Sequence, residues 1–185
     1  MKLKSKRVYL RAPAPDDFGE LAELYQSSRA HFRGYASSSY SRERFDATLV
    51  DAEKDSNAHF LVCLNENGAI AGTLNLSQIF RKLFQNAYLG YQLFAGFTGK
   101  GYMTEAVAIG LHHAFVDLGL HRIEANVQPN NKPSIGVLTR NGFEKEGFSR
   151  RYLKINGRWR DHERWAILKE DWISRKTKWK ELLRD

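Results

Sequence analysis

A chain of 185 residues, 42% hydrophobic and 27% charged, has the size and composition of one globular domain, placed here at 1–172 and followed by a charged tail over 173–185. It contains no run near the roughly 18 apolar residues of a membrane span, and its basic start (Lys2, Lys4, Lys6, Arg7) leads into no apolar signal core, so a cytoplasmic location without a membrane partner is expected. The net charge of +8 favours an anionic partner without choosing among a phosphate-bearing cofactor, an acidic peptide, ribosomal RNA and a merely solvated basic surface.

Residues 7–11 alternate as a strand does. Pro13 and Pro15 end it, Asp16 or Asp17 can cap a helix, and Phe18, Leu21, Leu24 and Tyr25 share one face of that helix to about residue 28. Residues 31–40 read as a loop, and Ser41 caps a second helix that carries Phe45, Leu49 and Ala52. Strands follow at 59–64 and 69–76, joined by the hairpin signal Asn67-Gly68. The single cysteine, Cys63, lies in the first of these and reads as a buried, inert thiol. One cysteine excludes an internal disulfide, and there is no Cys/His spacing of a metal site. The state of residues 79–85 is open. A strand at 87–93 feeds a glycine-rich loop and then a helix at 102–118 striped by Met103, Val107, Gly110, Leu111, Ala114 and Leu118. A strand at 122–127, a short helix at 133–141 closed by Gly142, and strands at 143–148 and 158–168 around Asn156-Gly157 complete the domain. The charged stretch from Lys169 onward carries Trp172 and Trp179 and reads as a docked or frayed helix. Hairpins mixed with strand-helix-strand units define an α+β chain: one mixed, mostly antiparallel sheet of about seven strands with helices on both faces.

The glycine loop carries the chemistry. Strand, glycine loop and helix N-terminus, in that order, make a phosphate cradle. Gly99 and Gly101 permit a tight turn, successive N–H groups point into one concavity, the helix dipole adds positive potential, and Lys100 adds a charge. The order G-x-x-G-x-G is neither the dinucleotide fingerprint nor a Walker loop, in which Gly-Lys is followed by Ser or Thr. A plain structural turn before a helix would look similar.

The loop is also similar to the pyrophosphate loop of GCN5-related N-acetyltransferases, Arg/Gln-x-x-Gly-x-Gly/Ala, with Gly96 in place of the first residue. Further stretches resemble the bacterial ribosomal-protein alanine N-acetyltransferases of the RimJ/RimL group, RimJ above all. They are Tyr88-Leu89-Gly90-Tyr91, Gly99-Lys100-Gly101 with Met103 and Glu105-Ala106, His121-Arg122-Ile123, Pro129 with Asn131-Lys132 and Ser134, Asn141 to Gly147, and Tyr152-Leu153 with Gly157, Trp159 and Arg160-Asp161-His162. The resemblance spans residues 7–172. It implies the acyl-CoA N-acyltransferase fold, acetyl-CoA as donor, no metal, and direct transfer in a ternary complex to a protein N-terminal α-amine, an alanine of a ribosomal protein, by a monomer or homodimer.

By the same resemblance, the cofactor is held by Tyr91, Leu93 and Phe94 on the strand, by Thr98, Gly99, Lys100, Gly101, Tyr102 and Met103 at the loop, and by Asn131 and Ser134. Ser134, Asp161 and Asn126 are the catalytic candidates. Ser134 stands where a hydroxyl meets the departing sulfur, or else serves the first turn of its helix. Related enzymes place a glutamate base where this chain has Asn126, and the RimL branch places one where it has Leu153, so the base is sought among Glu124, Asp161 and His162. Alternation lets only one of Asp161 and His162 face the cleft. The hairpin Arg150, Arg151, Lys154, Arg158, Arg160 carries five cations before its first acid, and reads either as a contact for ribosomal RNA or an acidic substrate or as a solvated edge. Two other readings stay open: acetylation of a small amine (a polyamine, an aminoglycoside or an amino acid), which an open or closed loop at 32–40 would decide, and a non-catalytic CoA- or ribosome-binding module.

Overall fold

The computed structural model describes residues 3–35 and 40–175. Trp179 and most of the charged tail, and residues 36–39 of the loop, lie outside the described residues. One eight-stranded sheet organises the rest, in the order β1-β2-β3-β4-β5-β6-β8-β7. Its strands are β1 (Leu3–Lys4), β2 (Val8–Arg11), β3 (Ala58–Leu64), β4 (Ile70–Phe80), β5 (Asn86–Leu93), β6 (Arg122–Val127), β7 (Glu144–Ile155) and β8 (Arg158–Leu168). The strand beyond the seven expected is the two-residue β1. All pairings are antiparallel except β5 with β6, joined by α4 (Tyr102–His112) in a strand-helix-strand crossover.

Two clusters of apolar side chains cover the two faces. On one, α4 packs across β2 and β4, burying Met103, Val107, Leu111 and Phe115 against Val8, Leu74, Leu76 and Ile123. The helix is buried on more sides than its predicted stripe, because α5 (Lys132–Arg140) also packs against it. It ends as an α-helix at His112 and widens into a π turn over His113–Asp117, where Leu118 N–H reaches back to the His113 carbonyl at 3.0 Å. Trp172 of α6 (Lys169–Ser174) docks here, its ring 5.5 Å from that of Phe115. On the other face, α1 (Phe18–Ser27), α2 (Arg29–Phe32) and α3 (Arg42–Ala52) bury Leu21, Tyr25, Phe32 and Phe45 against Leu61, Cys63, Ile70 and Phe94. Cys63 is fully buried, and burial pushes its thiol pKa up, as expected of an inert cysteine.

The local signals act where the sequence puts them. Ser41 Oγ accepts from Arg44 N–H and starts α3. Asn67 Oδ1 accepts from Ala69 N–H and turns the β3–β4 hairpin. Asp17 works differently from a cap: its carboxylate takes two hydrogen bonds from Arg11, at 2.7 and 2.6 Å, and one from Ala14 N–H. Residues 79–85 resolve as the end of β4 and a turn, after a register shift in which Gln78 adopts φ 51°.

Candidate active site

The parallel pairing of β5 and β6 runs from Asn86–Arg122 to Tyr88–Glu124 and goes no further, so the strands diverge beyond it. Hydrogen bonding alternates along each antiparallel neighbour. Phe94 N–H bonds the Ala71 carbonyl and Lys169 N–H bonds the His121 carbonyl, so the backbone groups of Tyr91 and Leu93 on β5, and of Asn126 on β6, face the gap. A wedge between two strands thus presents unpaired peptide groups from both sides. An extended, amide-bearing chain can pair with them as a surrogate strand.

At the mouth of the wedge sits the glycine loop. Gly99 has φ 76° and Gly101, the N-cap of α4, has φ 81°, both left-handed conformations that favour glycine. Among the described residues, no hydrogen bond engages the N–H groups from Gly99 to Met103. Arg7 braces the loop against the first turn of α4. Its Nη1 holds the Lys100 carbonyl at 2.9 Å, its Nε and Nη2 grip Glu105 at 2.6 and 2.5 Å, and its guanidinium lies 5.2 Å from the Tyr102 ring centre. Glu105, buried to 3% exposure in the first turn, also accepts from Ser5 Oγ and Arg7 N–H. The carbonyl side of the loop is therefore occupied by Arg7 and the N–H side is left for an anion.

Behind the loop, Tyr91 and Ser134 meet. Ser134 Oγ donates to the Tyr91 hydroxyl at 2.8 Å, and that hydroxyl donates to the Ser134 carbonyl at 3.0 Å. Burial drives the Tyr91 pKa well above its ordinary value, so the phenol is neutral. Asn131 is the N-cap of α5, its Oδ1 accepting from Ser134 N–H at 3.3 Å. The capping role weighed for Ser134 thus belongs to Asn131.

A cavity of about 380 Å³ opens along the wedge, lined among others by Tyr25, Tyr40, Arg44, His59, Asn75, Gly90, Tyr91, Gln92, Asn126, Ser134 and His162. Among its described lining residues there is no aspartate and no glutamate. Tyr25 stacks on Tyr40 with ring centres 4.2 Å apart and donates from its hydroxyl to Gln92 Oε1 at 2.9 Å. Burial raises the pKa of both phenols, that of Tyr40 to about 12. The guanidinium of Arg44 lies 5.8 and 5.5 Å from these two ring centres. Gly90 gives the cavity floor its depth, since a Cβ there would come within 2.6 Å of Asn75 Oδ1.

Several assignments change with these positions. Phe94 is a core residue, 1% exposed, and its N–H is already used by Ala71, so it is not a cofactor contact. The Met103 side chain is likewise in the core, which leaves only its backbone at the loop. Thr98 spends its hydroxyl on the Ala95 carbonyl, and the Lys100 side chain is exposed. Asp161 is exposed and does not line the cavity; its carboxylate accepts from Arg151 N–H at 2.7 Å and closes the register shift between β7 and β8. Its catalytic assignment is corrected on this ground. Glu124 is tied to Arg122, whose guanidinium also pairs with Glu146.

The residue passed over in favour of Asp161 is the one that faces the cavity. His162 is 3% exposed, and its Nδ1 lies 3.0 Å from the Arg160 carbonyl. A carbonyl only accepts, so Nδ1 carries the hydrogen and Nε2 is left with a lone pair. Burial holds the His162 pKa below the usual range, opposed by that hydrogen bond and by Asp161, so the ring is neutral near pH 7.

A splayed parallel pair with an N–H loop at its mouth, in a mixed sheet, defines an acyltransferase of the acyl-CoA-binding type. The family follows: residues 7–144 match the GNAT acetyltransferase domain, and the chain belongs to that family of N-acetyltransferases. It is 40% identical over 177 residues, 91% of this chain and 98% of the relative, to a Bacillus subtilis protein named "Probable N-acetyltransferase YjcK". Over 103 residues, 56% of this chain and 53% of the relative, it is 43% identical to the [ribosomal protein uS5]-alanine N-acetyltransferase of Escherichia coli. Among solved structures, Mycobacterium smegmatis RimJ in complex with CoA-disulfide superimposes with a TM-score of 0.82 at 28% identity, covering 90% of this chain and 86% of that one.

Proposed function

We propose that the chain transfers the acetyl group of acetyl-CoA to the α-amine of a protein N-terminus, an alanine in the first instance, as the names of its RimJ-type relatives suggest. The observation that carries the choice of acceptor is the acid-free cavity. A polyamine brings two or more charges, and with Arg44 in the wall and no carboxylate among the described lining residues, nothing offsets their desolvation. An α-amine has a pKa near 8, so about a tenth of it is already neutral at pH 7. The tyrosine and amide walls suit the first residues of a peptide, which bring hydrogen-bonding groups and modest charge.

In this reading the N–H groups from Gly99 to Met103 hold the pyrophosphate. The Tyr91, Leu93 and Asn126 backbones pair with the pantetheine. A backbone N–H of β5 facing the gap stabilises the oxyanion as the amine attacks. The hydroxyls of Ser134 and Tyr91, already exchanging a hydrogen bond, supply the proton that the departing sulfur needs. The basic hairpin of β7 and β8 extends beyond this site, with Trp159 59% exposed at its tip, and suits contact with ribosomal RNA near the acceptor. Free-thiol release from acetyl-CoA tests the proposal, with peptides beginning in alanine set against spermidine and other small amines. Turnover with the peptides is expected; turnover with polyamines alone would refute it.

A further inference from the structure

We propose that His162 is the group that takes the proton from the incoming amine, at Nε2. This rests on the reading of the chain as an amine acetyltransferase, but not on which amine it uses. Asn126 stands at the gap with an amide, which cannot take a proton there. Glu124 is held by Arg122, and Asp161 is exposed and spent on the Arg151 N–H. Of the titratable bases among the described residues lining the cavity, His59 and His162 remain. His59 directs its Nε2 at Asp51, 2.8 Å away, and stands on β3 opposite Asn75, so that β4 separates its remaining nitrogen from the wedge between β5 and β6. His162 lies nearer the reacting groups: its Nδ1–H is fixed on a main-chain carbonyl, and Nε2 is left as an acceptor in the cavity shared with Tyr91, Asn126 and Ser134.

The charged and titratable groups around the ring are few. Tyr152 of β7 lies 5.9 Å away, ring centre to ring centre. Asp161 and Arg160 adjoin His162 on its own strand. Tyr25, Arg44, His59 and Tyr91 face the cavity from α1, α3, β3 and β5, and Tyr35 and Tyr40 from the segment between α2 and α3. None of these places a carboxylate in the cavity, which keeps the ring neutral and available.

The step balances. An ammonium R–NH3+ gives one proton to Nε2, and the freed lone pair forms the C–N bond to the thioester carbonyl carbon. The C–S bond then breaks. The second proton of the nitrogen passes to the leaving sulfur, through the Tyr91 and Ser134 hydroxyls. The imidazolium returns the first proton to water, so ammonium and thioester become amide, thiol and one released proton.

The test compares two acceptors in the wild-type enzyme and in His162→Asn, whose amide can keep the bond to the Arg160 carbonyl while removing the base. One acceptor is an alanine-initiated peptide; the other is the same peptide with an aminooxy terminus, whose nitrogen is already neutral at pH 7. Loss of a base should lower kcat/KM for the α-amine peptide by about 100-fold or more and that for the aminooxy peptide by less than about tenfold. Equal losses for the two would overturn the assignment and make His162 structural. If the wild type acetylates small amines and not peptides, the acceptor reading fails, and the same comparison on a small amine and its aminooxy counterpart still decides the role of His162. Should His162→Asn not fold, the side-chain 15N shifts of His162 in the wild type decide: an Nδ1–H tautomer is required, and an Nε2–H tautomer refutes the proposal.

Discussion

Tyr91 and Ser134 form one unit rather than two independent donors, because each hydroxyl orients the other. Tyr91→Phe removes the partner of Ser134 Oγ as well as its own proton. The expected result is a fall in kcat of about 100-fold with little change in the KM for acetyl-CoA, measured by steady-state thiol release. A rise in KM alone would place the phenol in cofactor binding. At this scale the sequence was legible for residue types and less so for directions. Alternation requires Asp161 and His162 to face opposite ways, and they do. Which one faces the cavity is set by how β8 lies against β6, in a pairing that ends at Val127 with Glu163. No local pattern in residues 158–168 announces that pairing. Phe94 misled for a similar reason: its place after the strand is local, while its burial depends on Tyr25 and Phe32 from distant helices.

The loop and its helix behave as an element set by Arg7, a residue some ninety positions away in sequence. Arg7→Ala frees the Lys100 carbonyl and leaves Glu105 buried without its cation. Isothermal titration should show CoA affinity falling by about tenfold, together with a loss of stability, because an unpaired buried carboxylate is costly. Gly101→Ala should weaken CoA affinity similarly through strain at φ 81°, with its Cβ 3.1 Å from Arg7 Nη2. At the opposite end of β2, Asp17 gives a pH dependence of fixed sign. Burial would raise its pKa, but the hydrogen bonds from Arg11 and Ala14 N–H outweigh that and hold it below the usual value. A depressed folded pKa contributes stability that is present above the unfolded value, near 3.9, and is lost as pH falls through the folded one. Asp17→Asn should therefore cost about 1–2 kcal/mol at pH 7 and progressively less as pH falls below the unfolded value near 3.9, as read by chemical denaturation across that range. The loop, the hairpin turns and the helix starts were legible because glycine, asparagine and serine act on neighbouring backbone. The wedge between β5 and β6 was not, since it arises where two strands distant in sequence stop pairing.

Across the whole molecule, the net charge of +8 is spread unevenly between the cavity and the β7–β8 hairpin. Inside, the described lining residues include no aspartate or glutamate, which under the proposed function disfavours polycations. Outside, Arg150, Arg151, Lys154 and Arg158 are exposed on the β7–β8 arm, whereas Arg160 is half-buried. If that arm meets ribosomal RNA, Arg150→Gln with Arg151→Gln should reduce co-sedimentation with ribosomes and flatten its salt dependence. It should also leave kcat/KM on a short alanine peptide within about twofold, since neither side chain lines the cavity. Unchanged co-sedimentation would identify the arm as a solvated edge. Of the described helices, none is long and apolar enough to cross a membrane. The central claim, that this cavity selects a peptide α-amine over a polyamine, is tested most directly by competition in one vessel. An alanine-initiated peptide with an internal lysine and an equal concentration of spermidine would share limiting acetyl-CoA, and the products would be mapped by mass spectrometry. Acetyl on the peptide α-amine, with lysine and spermidine untouched, is the expected outcome; acetylspermidine as the main product would contradict it.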